Sequence, residues 1–231
     1  MALPKLEHPT YTVKLPSNGK EVVFRPFLVK EYKILLTLAE AEKEEVVRIV
    51  KDLINACTFG KIDVNELPHF DIEYLFLQLR AKSISEVVNV VVTCDCEEKL
   101  DASFNIEDLQ VENNKKLENR IQLDEEIGVE LKFLDFDTIV KLAESDDVDD
   151  LMDLVTNSIK GVFTKDTYYE ASQQSKEEIV EFLTSLNKDQ FKKIEDYIKE
   201  SPRVVQKFSV KCDKCENVNK ISLIGIENFF V

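Results

Sequence analysis

Four cysteines carry the chemistry this sequence can be asked about. Cys94 and Cys96 close the β-rich run Val90–Cys96, VVVTCDC, and Cys212 and Cys215 close its echo Phe208–Cys215, FSVKCDKC. Thiolates are soft ligands, and four of them complete the tetrahedron of a structural zinc site with no position left for water. Cys212-Asp-Lys-Cys215 has the standard two-residue spacing of such a knuckle. Cys94-Asp-Cys96 is one residue shorter and needs a turn at Asp95 to aim both sulfurs at one ion. Zn²⁺ held by Cys94, Cys96, Cys212 and Cys215 is the leading reading, with reduced free thiols and a disulfide as the alternatives. Cys57 stands alone on an apolar helical face and reads as a buried structural thiol.

The remaining reactive residues form no catalytic frame. Two histidines, His8 and His69, lack any Gly-x-Ser-x-Gly or His-Glu-x-x-His context and read as surface or capping residues. Five glycines make no phosphate-cradling loop. The acidic runs Glu40–Glu45 and Asp146–Asp150 lack the alternating oxygens and central glycine of a calcium loop. They read as solvated corners that start helices, where the dipole favours negative charge.

Composition narrows the partners. With 45 acidic and 30 basic residues the formal net charge is -15. Such a chain is repelled by phosphate backbones and anionic lipid, so neither nucleic acid nor a membrane is expected. No apolar run reaches the roughly 18–20 residues that span a bilayer. Met1–Thr10 has no apolar core of a signal peptide, which sets the expectation of folding in a reducing cytosol. There, paired cysteines favour a metal over disulfides. A zinc-stabilised nucleic-acid-binding module is the competing function class; the knuckle charges Asp95, Glu97, Glu98, Asp213 and Glu216 speak against it. An enzyme using an acidic pair or an open zinc is a second competitor.

The elements that must deliver the cysteines are set out twice. A strand at Tyr11–Leu15, a turn at Pro16–Gly19 and a strand at Glu21–Phe27 make a hairpin. Helices are predicted over Val29–Ala39, with Tyr32, Leu35, Leu36 and Ala39 on one side, over Val46–Cys57, ended by Gly60, and over Asp71–Lys82, with Ile72, Leu75, Phe76 and Leu79 inward. The first cysteine knuckle and a return strand Asp101–Ile106 follow, and Glu107–Asn119 reads as a linker. The order then restarts. Arg120–Leu123 and Val129–Phe136 repeat the hairpin, with Phe133 and Phe136 each 109 residues after Phe24 and Phe27. A short helix covers Asp137–Glu144. Ser145 caps a helix Val148–Lys160, closed by Gly161. An insertion Thr164–Ser185 carries its own helix from Lys176. Asn187 caps Lys188–Glu200, and the second knuckle follows with its return strand Val218–Ile224. The expected fold is α+β, two related halves from internal duplication (1–112 and 113–231), each with a β-hairpin, two or three helices and a cysteine knuckle. The end Ile224–Val231 either packs back or presents a partner surface.

The stretch Pro9–Leu36, PTYTVKLPSNGKEVVFRPFLVKEYKILL, with Arg25-Pro26-Phe27-Leu28-Val29-Lys30-Glu31 as its distinctive part, resembles the start of the baseplate hub assembly proteins of large contractile-tailed bacteriophages. The paired-cysteine knuckles are similar to that family's pattern as well, apart from the shorter first spacing. The resemblance implies a non-enzymatic factor, a chaperone or a hub subunit. It would act in the host bacterial cytoplasm during tail assembly or in the virion's baseplate, with other hub or tail proteins as partners.

Overall fold

The computed structural model describes residues 6–37, 41–113, 117–142 and 148–225. Its elements, in chain order, are β1 (Tyr11–Lys14), β2 (Glu21–Phe24), α1 (Val29–Leu35), α2 (Lys43–Cys57), α3 (His69–Ser83), β3 (Val87–Thr93), β4 (Lys99–Asn105), β5 (Gln110–Glu112), β6 (Arg120–Gln122) and β7 (Gly128–Leu131). There follow α4 (Phe136–Leu142), α5 (Val148–Ser158), β8 (Ile159–Phe163), β9 (Tyr168–Glu170), α6 (Lys176–Thr184), α7 (Lys188–Lys199), β10 (Arg203–Lys211) and β11 (Val218–Ile224). The fold is mixed α and β, with seven helices and several small antiparallel sheets among the described residues. None of these helices is long and apolar enough to cross a membrane.

Residues up to Glu112 and from Arg203 onward form one compact unit, and Asn113–Pro202 form a second. These units are a division by contact. They share the boundary after residue 112 with the expected halves but place the last hairpin, β10–β11, with the first unit. The reason is β5. Read in sequence as part of a linker, Gln110–Glu112 instead pairs with β10 in the register Arg203↔Glu112, Val204↔Val111, Val205↔Gln110. Arg203 and Lys207 both form ion pairs with Glu112. A three-residue strand gives too short an alternation to be read as one.

In the first unit α3, in contact with α2 and β10, is buried nearly all round, His69, Asp71, Glu73 and Arg80 included. The expected inward residues Ile72, Leu75, Phe76 and Leu79 are all buried, and so are Phe70 and Leu77 on its other faces. The β1–β2 turn is pinned to the start of this helix. The Ser17 backbone N–H donates to Asp71 Oδ1 at 2.9 Å, and the Ser17 hydroxyl to Oδ2. Burial pushes the Asp71 carboxyl above its usual range, and these two bonds offset only part of that. After β2, the Arg25 backbone N–H donates to the Cys57 carbonyl (3.0 Å), docking the hairpin on the end of α2. The Arg25 guanidinium donates to Glu31 Oε1 at 2.8 Å, and the Leu28 N–H donates to Glu31 Oε2 at 2.9 Å. One carboxylate, itself buried, thus pairs a partly buried cation and satisfies the start of α1. Against the sequence expectation, the side of α1 carrying Tyr32 and Leu36 is exposed, and Glu31 is what the helix buries. Ala39 lies outside the described residues.

The second unit is the sheet β6-β7-β8-β9 covered by α5, α6 and α7. Its core gathers Leu123, Val129, Leu131, Val155, Ile159, Leu183, Ile194 and Tyr197. Capping boxes at Ser175/Glu178 and at Asn187/Gln190 start α6 and α7. The expected helix end at Gly161 is corrected: α5 stops at Ser158, and Gly161 lies inside β8. A Cβ there would meet the Tyr168 ring and sit 2.8 Å from the Tyr169 carbonyl, so the glycine answers to a close strand crossing. Ser145, Asp146 and Asp147 lie outside the described residues, as does the C-terminal tip beyond Gly225.

Candidate metal centre

Each cysteine pair sits in the loop of a seven-pair antiparallel ribbon. β3 pairs with β4 from Val87↔Asn105 to Thr93↔Lys99, and β10 with β11 from Val205↔Ile224 to Lys211↔Val218. The valines of β3, five of its seven residues, favour this extended arm. The two loops close alike. The Cys94 N–H donates to the Glu98 carbonyl at 2.9 Å, and the Glu97 N–H to the Cys94 carbonyl at 2.8 Å. In the other, the Cys212 N–H donates to the Asn217 carbonyl and the Glu216 N–H to the Cys212 carbonyl, each at 2.8 Å. Glu97 and Glu216 have φ of 66° and 60°. In both loops, then, the second cysteine is the residue just before a left-handed one. That shared position resolves the unequal spacing: the shorter loop drops a residue between its cysteines and keeps the geometry of its exit. Asp95 does lie in a turn, as the short spacing requires.

The four sulfurs converge. All lie within 4.8 Å of one another, with Cys94 Sγ 3.6 Å from Cys215 Sγ and Cys96 Sγ 3.7 Å from Cys212 Sγ. Four sulfurs placed tetrahedrally about 2.3 Å from an ion would be about 3.8 Å apart. The cluster therefore could hold a metal ion. Cys94 and Cys212 are buried, Cys96 is half-buried and Cys215 is exposed. Leu100 and Val210 pack around them. Further out, Phe104 of β4 and Phe208 of β10 stack with centroids 5.4 Å apart, joining the two ribbons.

Hydrogen bonds tie the loops together outside the sulfurs. Asn219 Nδ2 donates to Cys94 Sγ at 3.4 Å, Asn217 Nδ2 to Asp95 Oδ2 at 3.3 Å, and Lys214 Nζ to Glu98 Oε2 at 3.1 Å. The Cys96 backbone N–H, with the Asn219 amide, draws the Cys94 thiol down to about 6. The Asn217 N–H acts in the same sense on Cys215, but the surrounding thiols and burial outweigh it and push Cys215 up to about 12. Without an ion, four close sulfurs share protons unevenly; a dication would displace them. Asn217, Asn219 and the Lys214–Glu98 pair were not marked in the sequence, because an amide on a return strand carries no spacing signature.

The other candidates fall elsewhere. Cys57 is fully buried beneath Arg25, whose Nη1 lies 3.7 Å from its sulfur, and burial pushes its thiol up to about 11. His8 is exposed. His69 corrects the surface reading: it is buried at the start of α3, edge-on to Phe70 at 5.3 Å.

A family model described as T4 bacteriophage base plate protein matches residues 8–231. No curated protein and no solved structure matches the chain. With the match running over nearly its whole length, the chain belongs to the T4 bacteriophage base plate protein family.

Proposed function

We propose, with membership of that base plate family as the premise, that this chain is a non-enzymatic assembly factor or subunit of the baseplate hub. In this reading it works by binding other hub or tail proteins in the host cytoplasm as the tail is built. The observation that carries the reading is the extent of the family match, which takes in both units and both cysteine knuckles. The acidic balance favours partners with basic protein surfaces over nucleic acid. The exposed apolar residues Val29, Tyr32, Ile34 and Leu36 of the α1 segment offer protein-binding area.

In the same reading Cys94, Cys96, Cys212 and Cys215 hold one structural zinc. A four-thiolate set suits zinc or iron–sulfur, and zinc is the member that needs no assembled cluster. Four thiolates leave no open position, so the ion would clamp rather than react. Internal duplication belongs to the proposal too. It draws support from the ribbons, whose paired residues are related by constant offsets: 118 from Val87–Thr93 to Val205–Lys211, and 119 from Lys99–Asn105 to Val218–Ile224.

Co-expression with the neighbouring tail genes, followed by mass spectrometry of what copurifies, tests the function. A hub or tail component in fixed stoichiometry is expected; recovery of the chain alone from every combination would sink the assembly role. Elemental analysis of the same preparation should return one zinc per chain.

A further inference from the structure

The same four sulfurs carry a second property, and it stands on how they are paired rather than on the ion. The short contacts run across the ribbons. Cys94 of the first loop meets Cys215 of the second at 3.6 Å, and Cys96 meets Cys212 at 3.7 Å. One member of the first pair, Cys215, is exposed, and one member of the second, Cys96, is half-buried; their partners are buried. Each pair thus has an outer sulfur that a solute can reach and an inner sulfur held beside it.

We infer that the cluster is an oxidation site, at which Cys94–Cys215 and Cys96–Cys212 close as two disulfides between the ribbons when a peroxide removes their electrons. The step balances. One sulfur of a pair, as thiolate, attacks one peroxide oxygen, the O–O bond breaks, and the leaving oxygen departs as water with a proton given up by the pair. The partner sulfur then displaces the hydroxyl from that sulfenic acid, giving the S–S bond and a second water. Two thiols have lost two electrons and two protons to one hydrogen peroxide, and the other pair repeats the step. Any bound dication leaves as its four thiolates are consumed. Forming each bond requires the sulfurs to close by about 1.6 Å to the disulfide length of about 2.05 Å. Resolution by an adjacent thiol stops the ladder before the irreversible acids.

The pairing decides the consequence. Disulfides within a loop would release the ribbons from one another; disulfides between loops tie Cys94 and Cys96 to Cys215 and Cys212 as the metal would. A virion component, in the function proposed above, is made where thiols stay reduced and later leaves for surroundings where they do not. The clamp would survive that passage by changing from ion to bond with the same four residues.

The test treats the full chain, as purified, with stoichiometric hydrogen peroxide. A zinc-responsive dye follows release of the ion, and non-reducing peptide mapping reads the links. Expected are the links Cys94–Cys215 and Cys96–Cys212, reversed by dithiothreitol. A Cys215→Ser chain should lose the first link and keep the second. Links within a loop, or sulfinic and sulfonic acids in place of links, would overturn the inference. Cross-ribbon links formed with no zinc released would uphold it and remove the zinc reading. Zinc release without cross-ribbon links would do the reverse.

Discussion

In the proposed duplication, the positions 109 residues after Arg25 and Glu31 are Leu134 and Val140, each 5% exposed. In that alignment a largely buried ion pair stands where the second half would place two buried hydrocarbon side chains. Breaking a buried pair strands a charge, whereas replacing both members by apolar groups is often neutral. Glu31→Gln is therefore expected to cost about 3 kcal/mol and Arg25→Leu with Glu31→Val to restore most of it, as read by urea denaturation. Burial alone would raise the Glu31 carboxyl, but bonds from Arg25 and the Leu28 N–H draw it net below its ordinary value. Its stabilising contribution is then present above the unfolded pKa and is lost as pH falls through the lower folded one. The Glu31→Gln chain should show a shallower loss of stability below about pH 4; an acid limb parallel to wild type would contradict the pairing. Of this arrangement the sequence made Arg25–Glu31 visible as a distinctive stretch, but not as an ion pair, because six residues of spacing carry no geometry until the chain turns into α1.

At the scale of elements, the two loops depend on one left-handed residue each. Glutamate pays roughly 1–2 kcal/mol to occupy that region, and glycine does not. Glu97→Gly and Glu216→Gly should each raise the thermal midpoint, while Glu97→Val should lower it and weaken metal retention. Chelation should lower the midpoint of the wild-type chain and leave a Cys94→Ser/Cys212→Ser chain unmoved, by calorimetry. Gly161→Ala should destabilise by about 1–3 kcal/mol, since the obstructing Tyr169 carbonyl is backbone and cannot swing aside. Helices with long periodic patterns, such as α2, α3 and α7, were legible in the sequence, and so were the strands flanking each cysteine pair. β5 and β8 were not. The first is too short to show alternation, and the second begins directly after α5 with Ile159, so one apolar run serves two periods.

For the whole molecule, the pairing of Arg203 with Glu112 places the two ends of the intervening segment on neighbouring strands. Residues 113–202 should then be replaceable by a two-residue Asn-Gly turn. The shortened chain is expected to fold cooperatively and to bind one metal ion through the same four cysteines, checked by elemental analysis and circular dichroism. Loss of the cooperative transition would mean that the first unit needs the second for its fold. A division by contact of this kind cannot be read from repeat boundaries, since a duplicated sequence says which segments are alike and not which ones touch.

The tie between β5 and β10 also sets an order of events on the ribosome. Synthesis runs from the first residue to the last, so β3, β4 and both Cys94 and Cys96 emerge long before Cys212 and Cys215 exist. Until the final ribbon arrives, the first one waits with Phe104 and Leu100 uncovered and half a set of ligands. A transcript cut short before Arg203 would yield a protein unable to bring the four sulfurs together, so loading of an ion there would report that translation had passed the second cysteine pair.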